Sequence, residues 1–242
     1  MAVVTPTRAI VALDVPGAAE AVALADRLGD ACDFVKVGSE LFTAAGPAVV
    51  DQVRRRSGLA GADRDVFLDL KLHDIPNTVR SAARRAASLG VRLFTVHATG
   101  GQAMLEAAVE GAGEGCGVLA VTVLTSLDAM GLGEAWGRTV ADVEAEVVRL
   151  SVLARAAGVR GVVCSGIEAA AVRAEHGAAL EILVPGVRLA GSGAQDQKRV
   201  VTPAGAAAAG ATYIVVGRTV TQDVDPRAAL VRVRAQLLAS PS

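Results

Sequence analysis

The sequence predicts an α/β protein that folds as a single (β/α)8 TIM barrel across residues 1–242. Eight short apolar runs rich in β-branched residues alternate with stretches whose apolar residues recur at helical spacing. The composition shows no shift that would mark a linker between domains. A doubly wound open sheet is the alternative, but the first strand-to-helix turn, DVPGAAE, lacks the GxGxxG pattern of such folds.

In the first half of the chain, β-branched runs predict strands, and helical spacing closed by glycine predicts helices. Strand one, RAIVALDV, is broken by Pro16 and Gly17, and the helix that follows ends at Gly29. A polar turn with Gly58, Gly61 and Asp63 leads into strand three. The predicted strands are 8–15, 34–38, 66–72 and 93–98, and the predicted helices are 18–29, 39–56 or 47–56, 78–89 and 102–111.

The second half repeats the same alternation. Strand five, VLAVTVL, is followed by a predicted loop at 130–137 and a long helix that ends before Gly158. Strand seven is ended by Pro185 and Gly186, and a second loop is predicted at 187–198. The predicted strands are 118–124, 161–164, 181–184 and 213–216, and the predicted helices are 140–157, 167–176, 203–210 and 226–238.

Composition and charge favour a compact enzyme that acts on a small molecule. The formal net charge is −1 at pH 7, with acidic and basic residues interspersed, which gives no reason to expect nucleic acid or an anionic membrane as partner. No window reaches the uncharged length of a membrane span, and the first fifteen residues lack a basic region followed by a long apolar run. We therefore expect a cytoplasmic protein.

Cysteine and histidine give no metal or disulfide pattern. The cysteines are odd in number, widely spaced and without a CxxC pair, so we expect them to be small buried side chains. The histidines are equally scattered, and no zinc-type ligand cluster can be identified. These residues are Cys32, Cys116, Cys164, His73, His97 and His176.

The stretch 66–79, VFLDLKLHDIPNTV, places charges in a strand whose other face is apolar. Because side chains alternate along a strand, the leucines point one way while Asp69 and Lys71 point the other. Asp74 follows the strand, and Pro76 begins a helix. One interpretation is an edge strand with a solvated polar face. In that case Asp74 would be a helix N-cap and Lys71 its ion-pair partner. Buried charges are costly unless paired, however, and therefore usually mark function.

A barrel gathers the C-terminal ends of its strands at one face. Each candidate residue there, taken singly, has an ordinary structural explanation, but five charges at one mouth favour a functional site. Lys36, Asp69, Lys71 and Asp74 would form a charge network without a clear metal-ligand set, which suits moving a proton to or from carbon with lysine as the acid. The candidates are Asp14, Lys36, Asp69, Lys71, Thr125, Ser126, Gly217 and Arg218.

The end of strand eight, IVVGRTV, suits a phosphate site. Gly217 allows a ligand to approach the backbone, the following helix offers free N–H groups, and Arg218 adds a bidentate donor. Barrels commonly bind phosphate after strands seven and eight. We expect the loop 187–198, with Arg188 and Gln197 as donors, to close over this phosphate.

Residues 69–78, DLKLHDIPNT, resemble the signature of the orotidine 5′-monophosphate decarboxylase family, and the similarity extends over nearly the whole chain. The other similar segments are ALDV, VKVG, VTVLTS, PGVR, DQKRVVTP and VVGRTVTQDVDP. The resemblance implies decarboxylation of orotidine 5′-monophosphate to UMP and CO₂ in pyrimidine biosynthesis, without metal or organic cofactor.

The resemblance also implies a role for each matching residue. Lys71 matches the proton donor to C6 of the pyrimidine, and Asp69 matches the carboxylate that faces the substrate carboxylate. Asp14 and Lys36 match ribose-binding and network residues. The positions that match base recognition or lie at or near the phosphate are Thr125, Ser126, Pro185, Arg188, Gln197, Gly217 and Arg218.

The resemblance further implies a homodimer. Asp74 resembles the aspartate that reaches the active site of the partner subunit, with Ile75 and Thr78 beside it. The nucleotide substrate and a second copy of the chain are thus the expected partners.

Two alternatives remain at this point. Metal-dependent sugar-phosphate decarboxylases or lyases of the same barrel superfamily share an Asp-x-Lys-x-x-Asp strand, but they place a glutamate ligand where this chain has Lys36. The second alternative is a noncatalytic phosphate-binding barrel. Loss of the four charged residues Lys36, Asp69, Lys71 and Asp74 would favour it, but all four are present in this sequence.

Overall fold

Eight parallel strands close into a barrel in chain order, and the last strand pairs with the first. The computed structural model describes residues 6–55, 63–189 and 201–238. The predicted (β/α)8 TIM barrel is therefore confirmed. The strands are β1 Arg8–Ala12, β2 Phe34–Gly38, β3 Asp65–Leu72, β4 Leu93–His97, β5 Gly117–Val121, β6 Gly161–Val163, β7 Glu181–Val184 and β8 Tyr213–Val216.

Helices follow the strands around the outside of the barrel. The region predicted as one helix after β2 forms two helices that Gly46 separates, at a left-handed φ of 69°. Of the described helices, none is long and apolar enough to cross a membrane. The helices are α1 Ala18–Leu28, α2 Ser39–Ala45, α3 Ala48–Arg54, α4 Pro76–Ser88, α5 Gln102–Ala112, α6 Ala129–Trp136, α7 Val143–Ala156, α8 Ala169–His176, α9 Pro203–Ala208, α10 Arg218–Thr221 and α11 Pro226–Leu238.

Alternation along each strand produces two apolar layers. Inward-facing residues fill the barrel interior, and outward-facing residues of the same strands pack against the helices. All three cysteines are buried, as predicted. The interior layer consists of Ile10, Ala12, Phe34, Phe67, Leu93, Leu119, Val121, Val163, Leu183, Tyr213 and Val215.

The N-terminal end of the barrel is closed by aromatic and charged side chains. Phe34 and Tyr213 pack edge to face with ring centroids 5.8 Å apart, and the Arg8 guanidinium lies 4.9 Å from the centroid of the Phe34 ring. Arg8 also bridges Asp33 at 3.0 Å and Asp65 at 2.9 Å. With this end filled, the opposite end of the barrel is left for a cavity.

A buried arginine fixes the start of β3 against α1. Arg64 is 2% exposed and donates to the carbonyls of Cys32 at 2.8 Å, Ala25 at 2.9 Å and Gly29 at 2.7 Å. The last two carbonyls belong to the C-terminal turn of α1, where intrahelical donors run out. Arg64 therefore holds the helix end and the entry to the central strand together.

The prediction of a loop at 130–137 is wrong, because residues 130–136 belong to α6. The Asp128 side chain caps the helix by accepting from the N–H of Gly131 at 3.0 Å. Gly137 ends it in the left-handed conformation, with φ 63°. Strands β1 and β5 are also shorter than predicted, since they end at Ala12 and Val121.

Candidate active site

A cavity of about 290 Å³ opens at the C-terminal ends of the strands. Its wall combines apolar side chains from the barrel interior, such as Phe67, Val121 and Val215, with the charged residues that the sequence singled out. The structure brings together nine of the predicted site residues, namely Asp14, Lys36, Asp69, Lys71, Thr125, Pro185, Arg188, Gly217 and Arg218.

Four of these residues form a row of alternating charge. Lys36 Nζ donates to Asp14 Oδ1 at 2.9 Å and lies 3.7 Å from Asp69 Oδ2. Lys71 Nζ donates to the same Asp69 oxygen at 2.8 Å. Asp69 Oδ2 therefore lies between two ammonium groups. This pairing explains how Lys36 and Asp69 can sit deep in an apolar barrel.

Gly38, at the end of β2, leaves room for the first pair in this row. A Cβ atom at this position would lie 2.8 Å from Lys36 Nζ and 3.1 Å from Asp14 Oδ1. Any other residue would displace both groups. The sequence contains this glycine within the VKVG segment, but its steric role becomes visible only in the folded barrel.

Lys71 occupies an unusual backbone conformation. Among the described residues it is the one non-glycine residue with a positive φ, at 51°. The register between β3 and β4 shifts at this point: Leu68 pairs with Phe94, and Leu72 pairs with Val96. Four residues of advance along β3 thus correspond to two along β4, so β3 contains a β-bulge here. The side-chain alternation predicted for strand three nevertheless holds, because Phe67, Asp69 and Lys71 line the cavity whereas the three leucines of this stretch pack on the outer side.

Thr95 hydrogen-bonds both residues at the bulge, and it is not among the site residues predicted from the sequence. Its hydroxyl accepts a hydrogen bond from the Lys71 N–H at 2.9 Å and donates one to Asp69 Oδ1 at 2.9 Å. The sequence signal is a threonine within the apolar run LFTV, and such a threonine is common in buried strands.

His97, at the end of β4, lies beside this cluster. Its ring centroid is 5.5 Å from that of His73. Burial lowers the pKa of His97, the nearby His73 and Lys71 lower it further, and Asp69 opposes them. A neutral imidazole is therefore favoured next to the lysine.

Asp74, Ile75 and Thr78 do not line the cavity of their own chain. Asp74 is exposed and accepts a hydrogen bond from the Ile75 N–H at 2.6 Å, and Ile75 itself is 67% exposed. The first residue of α4 is Pro76, so Ile75 rather than Asp74 occupies the N-cap position. Of the predicted network, Lys36, Asp69 and Lys71 therefore come together within one chain, whereas Asp74 of the same chain does not join them.

Ser126 falls outside the main cavity. Ser126 lines an adjoining cavity of about 550 Å³, whose wall also includes Asp14, Thr125 and Arg218. Gln197 and most of the loop 187–198 lie outside the described residues, so the expected loop closure stays a prediction.

The end of β8 presents backbone and charge to the cavity. Helix α10 begins at Arg218, so its first N–H groups have no acceptor within the helix. A Cβ atom at Gly217 would meet no atom within 4 Å, which leaves its backbone open to close approach. Arg188 lines the same cavity from the end of β7. These groups suit a phosphate.

The arrangement offers the Lys71 ammonium group, further positive charge and an apolar wall. These features suit a reaction in which negative charge develops on a flat, partly apolar ligand. Within residues 6–55, 63–189 and 201–238, no three or more His, Cys, Asp or Glu side chains are grouped so that they could hold a metal ion.

The chain is similar to known proteins in both sequence and fold. The family model described as orotidine 5′-phosphate decarboxylase / HUMPS family matches residues 7–233. Orotidine 5′-phosphate decarboxylase of Halorhodospira halophila is 49% identical, covering 99% of this chain and 100% of the relative. That of Anaeromyxobacter dehalogenans is 53% identical, at 95% and 98% coverage. The crystal structure of the Lactobacillus acidophilus enzyme superposes with a TM-score of 0.84 at 35% identity, covering 96% and 100%.

Proposed function

The chain belongs to the orotidine 5′-phosphate decarboxylase / HUMPS family, and from this premise we propose how it decarboxylates orotidine 5′-monophosphate to UMP and CO₂ in pyrimidine biosynthesis. The bond between C6 and the carboxylate breaks, the electron pair stays on C6, and Lys71 delivers a proton to that carbon. The row formed by Lys36, Asp69 and Lys71 carries the proposal, because it presents the Lys71 ammonium group, paired with Asp69, to the cavity.

Stabilisation of the carbanion is the main chemical task, because the pyrimidine ring cannot delocalise this charge well. The site must therefore favour the transition state over the bound substrate. Lys71 would do so first by its positive charge and then by transferring its proton. Its contact with Asp69 at 2.8 Å supports a fixed position for the donor.

Asp69 would face the substrate carboxylate, but repulsion alone is too weak to drive the reaction. Two unit charges about 4 Å apart interact by roughly 4 kcal/mol at an effective dielectric near 20. Enzymes with large accelerations lower their barriers by about 20 kcal/mol. Electrostatic stabilisation by Lys71 and binding energy from the distant phosphate must therefore supply most of the effect.

The remaining residues would bind the nucleotide. Asp14 and Lys36, paired at 2.9 Å, would meet the ribose. The position of Ser126 in a cavity that adjoins the main one is compatible with a longer binding groove, in which Thr125 and Ser126 recognise the base. The proposed phosphate site comprises Pro185, Arg188, Gln197, Gly217 and Arg218.

We also propose that a homodimer is the active unit and that Asp74 of each chain enters the site of the other, with Ile75 and Thr78 beside it. The exposure of Asp74 and Ile75 supports this, since both are available to a second chain. We assign the activity to the cytoplasm, because charged nucleotides do not cross a membrane unaided.

Addition of orotidine 5′-monophosphate to the purified protein in excess EDTA tests the function. We expect the pyrimidine absorbance to change with turnover, because Lys71 supplies the positive charge that a metal would otherwise provide. Activity that is lost on chelation and restored by a divalent ion would favour the sugar-phosphate alternative instead.

A further inference from the structure

Thr95 links Asp69 and Lys71 of β3 through a single buried hydroxyl. The residue is 0% exposed, and its side chain points into the barrel, as does that of Leu93 two residues earlier. The Oγ1 atom accepts from the Lys71 N–H and donates to Asp69 Oδ1, each at 2.9 Å. A hydroxyl can do both at once, whereas a methyl group can do neither.

The bulge in β3 makes this hydroxyl necessary. Between Leu68 and Leu72, β3 has two more residues than the facing part of β4, so the regular ladder cannot satisfy every N–H group there. Lys71 is the residue with φ 51°, a conformation that a lysine adopts only when its surroundings hold it. The Thr95 hydroxyl takes the place of the missing strand acceptor for its N–H.

The same hydroxyl also orients the Asp69 carboxylate. With Oδ1 bound to Thr95, Oδ2 faces Lys71 Nζ at 2.8 Å and Lys36 Nζ at 3.7 Å. Without this bond the carboxylate could rotate, and both ammonium groups would lose a fixed partner.

We propose that Thr95 is a positioning residue for the decarboxylation, which holds the bulged backbone of Lys71 and the carboxylate of Asp69 in reacting geometry without touching the substrate. This inference rests on the proposed function. A displacement of about 1 Å in a reacting group can lower a rate by about 100-fold. The nucleotide should still bind, because the proposed phosphate and ribose contacts do not involve Thr95.

The test compares three variants. Thr95→Val keeps the shape of the side chain but removes the hydroxyl, and Thr95→Ser keeps the hydroxyl. Thr122→Val is the matched control, because Thr122 is also buried and its hydroxyl donates to the Val163 carbonyl at 2.8 Å, away from the charged row. We expect Thr95→Val to lower kcat by about 10- to 100-fold with KM nearly unchanged. Thr95→Ser and Thr122→Val should stay within a few-fold of wild type.

Equal losses in Thr95→Val and Thr122→Val would reduce Thr95 to an ordinary buried hydroxyl and overturn the inference. A Thr95→Ser variant as slow as Thr95→Val would do the same. Hydrogen exchange of the Lys71 amide, followed by NMR, gives a readout that does not need turnover: protection should fall in Thr95→Val and persist in the other two variants. Absence of turnover in the wild type would refute the proposed function, and the exchange data would still decide the role of Thr95.

Discussion

Lys71, the proposed proton donor, has a backbone conformation that few residues adopt. Its side chain meets Asp69 at 2.8 Å, and its φ of 51° lies in the left-handed region. The steric cost of that region arises from Cβ, so it applies to alanine as much as to lysine. A substitution of Lys71 by alanine can therefore remove the ammonium group without changing the preference of the backbone.

We predict that Lys71→Ala lowers kcat by at least about 1,000-fold, because the lysine acts on the transition state more than on the bound substrate. The dissociation constant of UMP, measured by calorimetry, should stay measurable. The matched control is Arg227→Ala, which removes an exposed ion pair with Asp30 and should leave turnover unchanged. A near wild-type kcat in Lys71→Ala would exclude it as the proton donor.

At the residue scale, the sequence predicted the charges better than the groups that orient them. Asp14, Lys36, Asp69 and Lys71 stand out because charges are rare at buried strand ends. Thr95 does not stand out in the sequence, since a single threonine is common in an apolar strand. The bulge depends on how β3 pairs with β4, and such a pairing register cannot be read from one strand alone.

At the element scale, Arg64 joins α1 to β3 through its hydrogen bonds to three backbone carbonyls. We predict that Arg64→Met lowers the free energy of unfolding by about 3 kcal/mol, because the carbonyls lose a charged donor. Urea denaturation measures the change. Arg55→Met is the control, since Arg55 is exposed and its side chain pairs with Asp51 of its own helix end, and it should have little effect. Equal effects of the two substitutions would contradict the assigned role.

His176 joins α7 to α8 and should make stability depend on pH. Its Nε2 lies 2.7 Å from Ser151 Oγ, and this hydroxyl already donates to the Val148 carbonyl, so the imidazole must donate here. Burial lowers the pKa of His176. The unfolded chain therefore binds this proton more readily than the folded chain does.

The stabilisation associated with His176 should be fully present above about pH 6.5, which is the ordinary pKa of histidine. It should be lost as the pH falls through the lowered pKa of His176 in the folded state. Urea denaturation between pH 7.5 and 5 measures it. The His176→Gln variant should lose less stability than the wild type over this range. Parallel losses in the two proteins would show that His176 does not contribute.

The limits of strands and helices were predicted correctly where the residues at their ends are distinctive. The strands Phe34–Gly38, Glu181–Val184 and Tyr213–Val216 match their predicted limits, because they are β-branched runs bounded by polar or breaking residues. Helix α6 was missed because it is short and contains two glycines, which disfavour a helix in isolation. Its capping residues, Asp128 and Gly137, were the available signals.

At the scale of the whole molecule, the proposed site needs two chains. Lys71→Ala and Asp74→Asn homodimers should each be nearly inactive if Asp74 serves the partner's site. In a mixed dimer one site would receive both intact residues, and the other would carry both substitutions. Random exchange makes about half the dimers mixed, so turnover should recover toward about a quarter of the wild-type value.

Mass spectrometry can show that this exchange is complete. If Asp74 serves its own subunit, every site keeps one substitution and mixing restores nothing. Complete exchange without recovered turnover would therefore exclude a shared site.

The pairing of β8 with β1 also has a consequence for synthesis on the ribosome. Arg8 pairs with Tyr213, and the Thr7 hydroxyl donates to the Ala211 carbonyl, 204 residues along the chain. The segment that contains β8 must therefore emerge before the ring of strands can close. Until then β1 exposes an unpaired edge, a known template for aggregation. Slow translation of the segment between β1 and β8 would prolong that exposure, whereas slow translation before β1 would not.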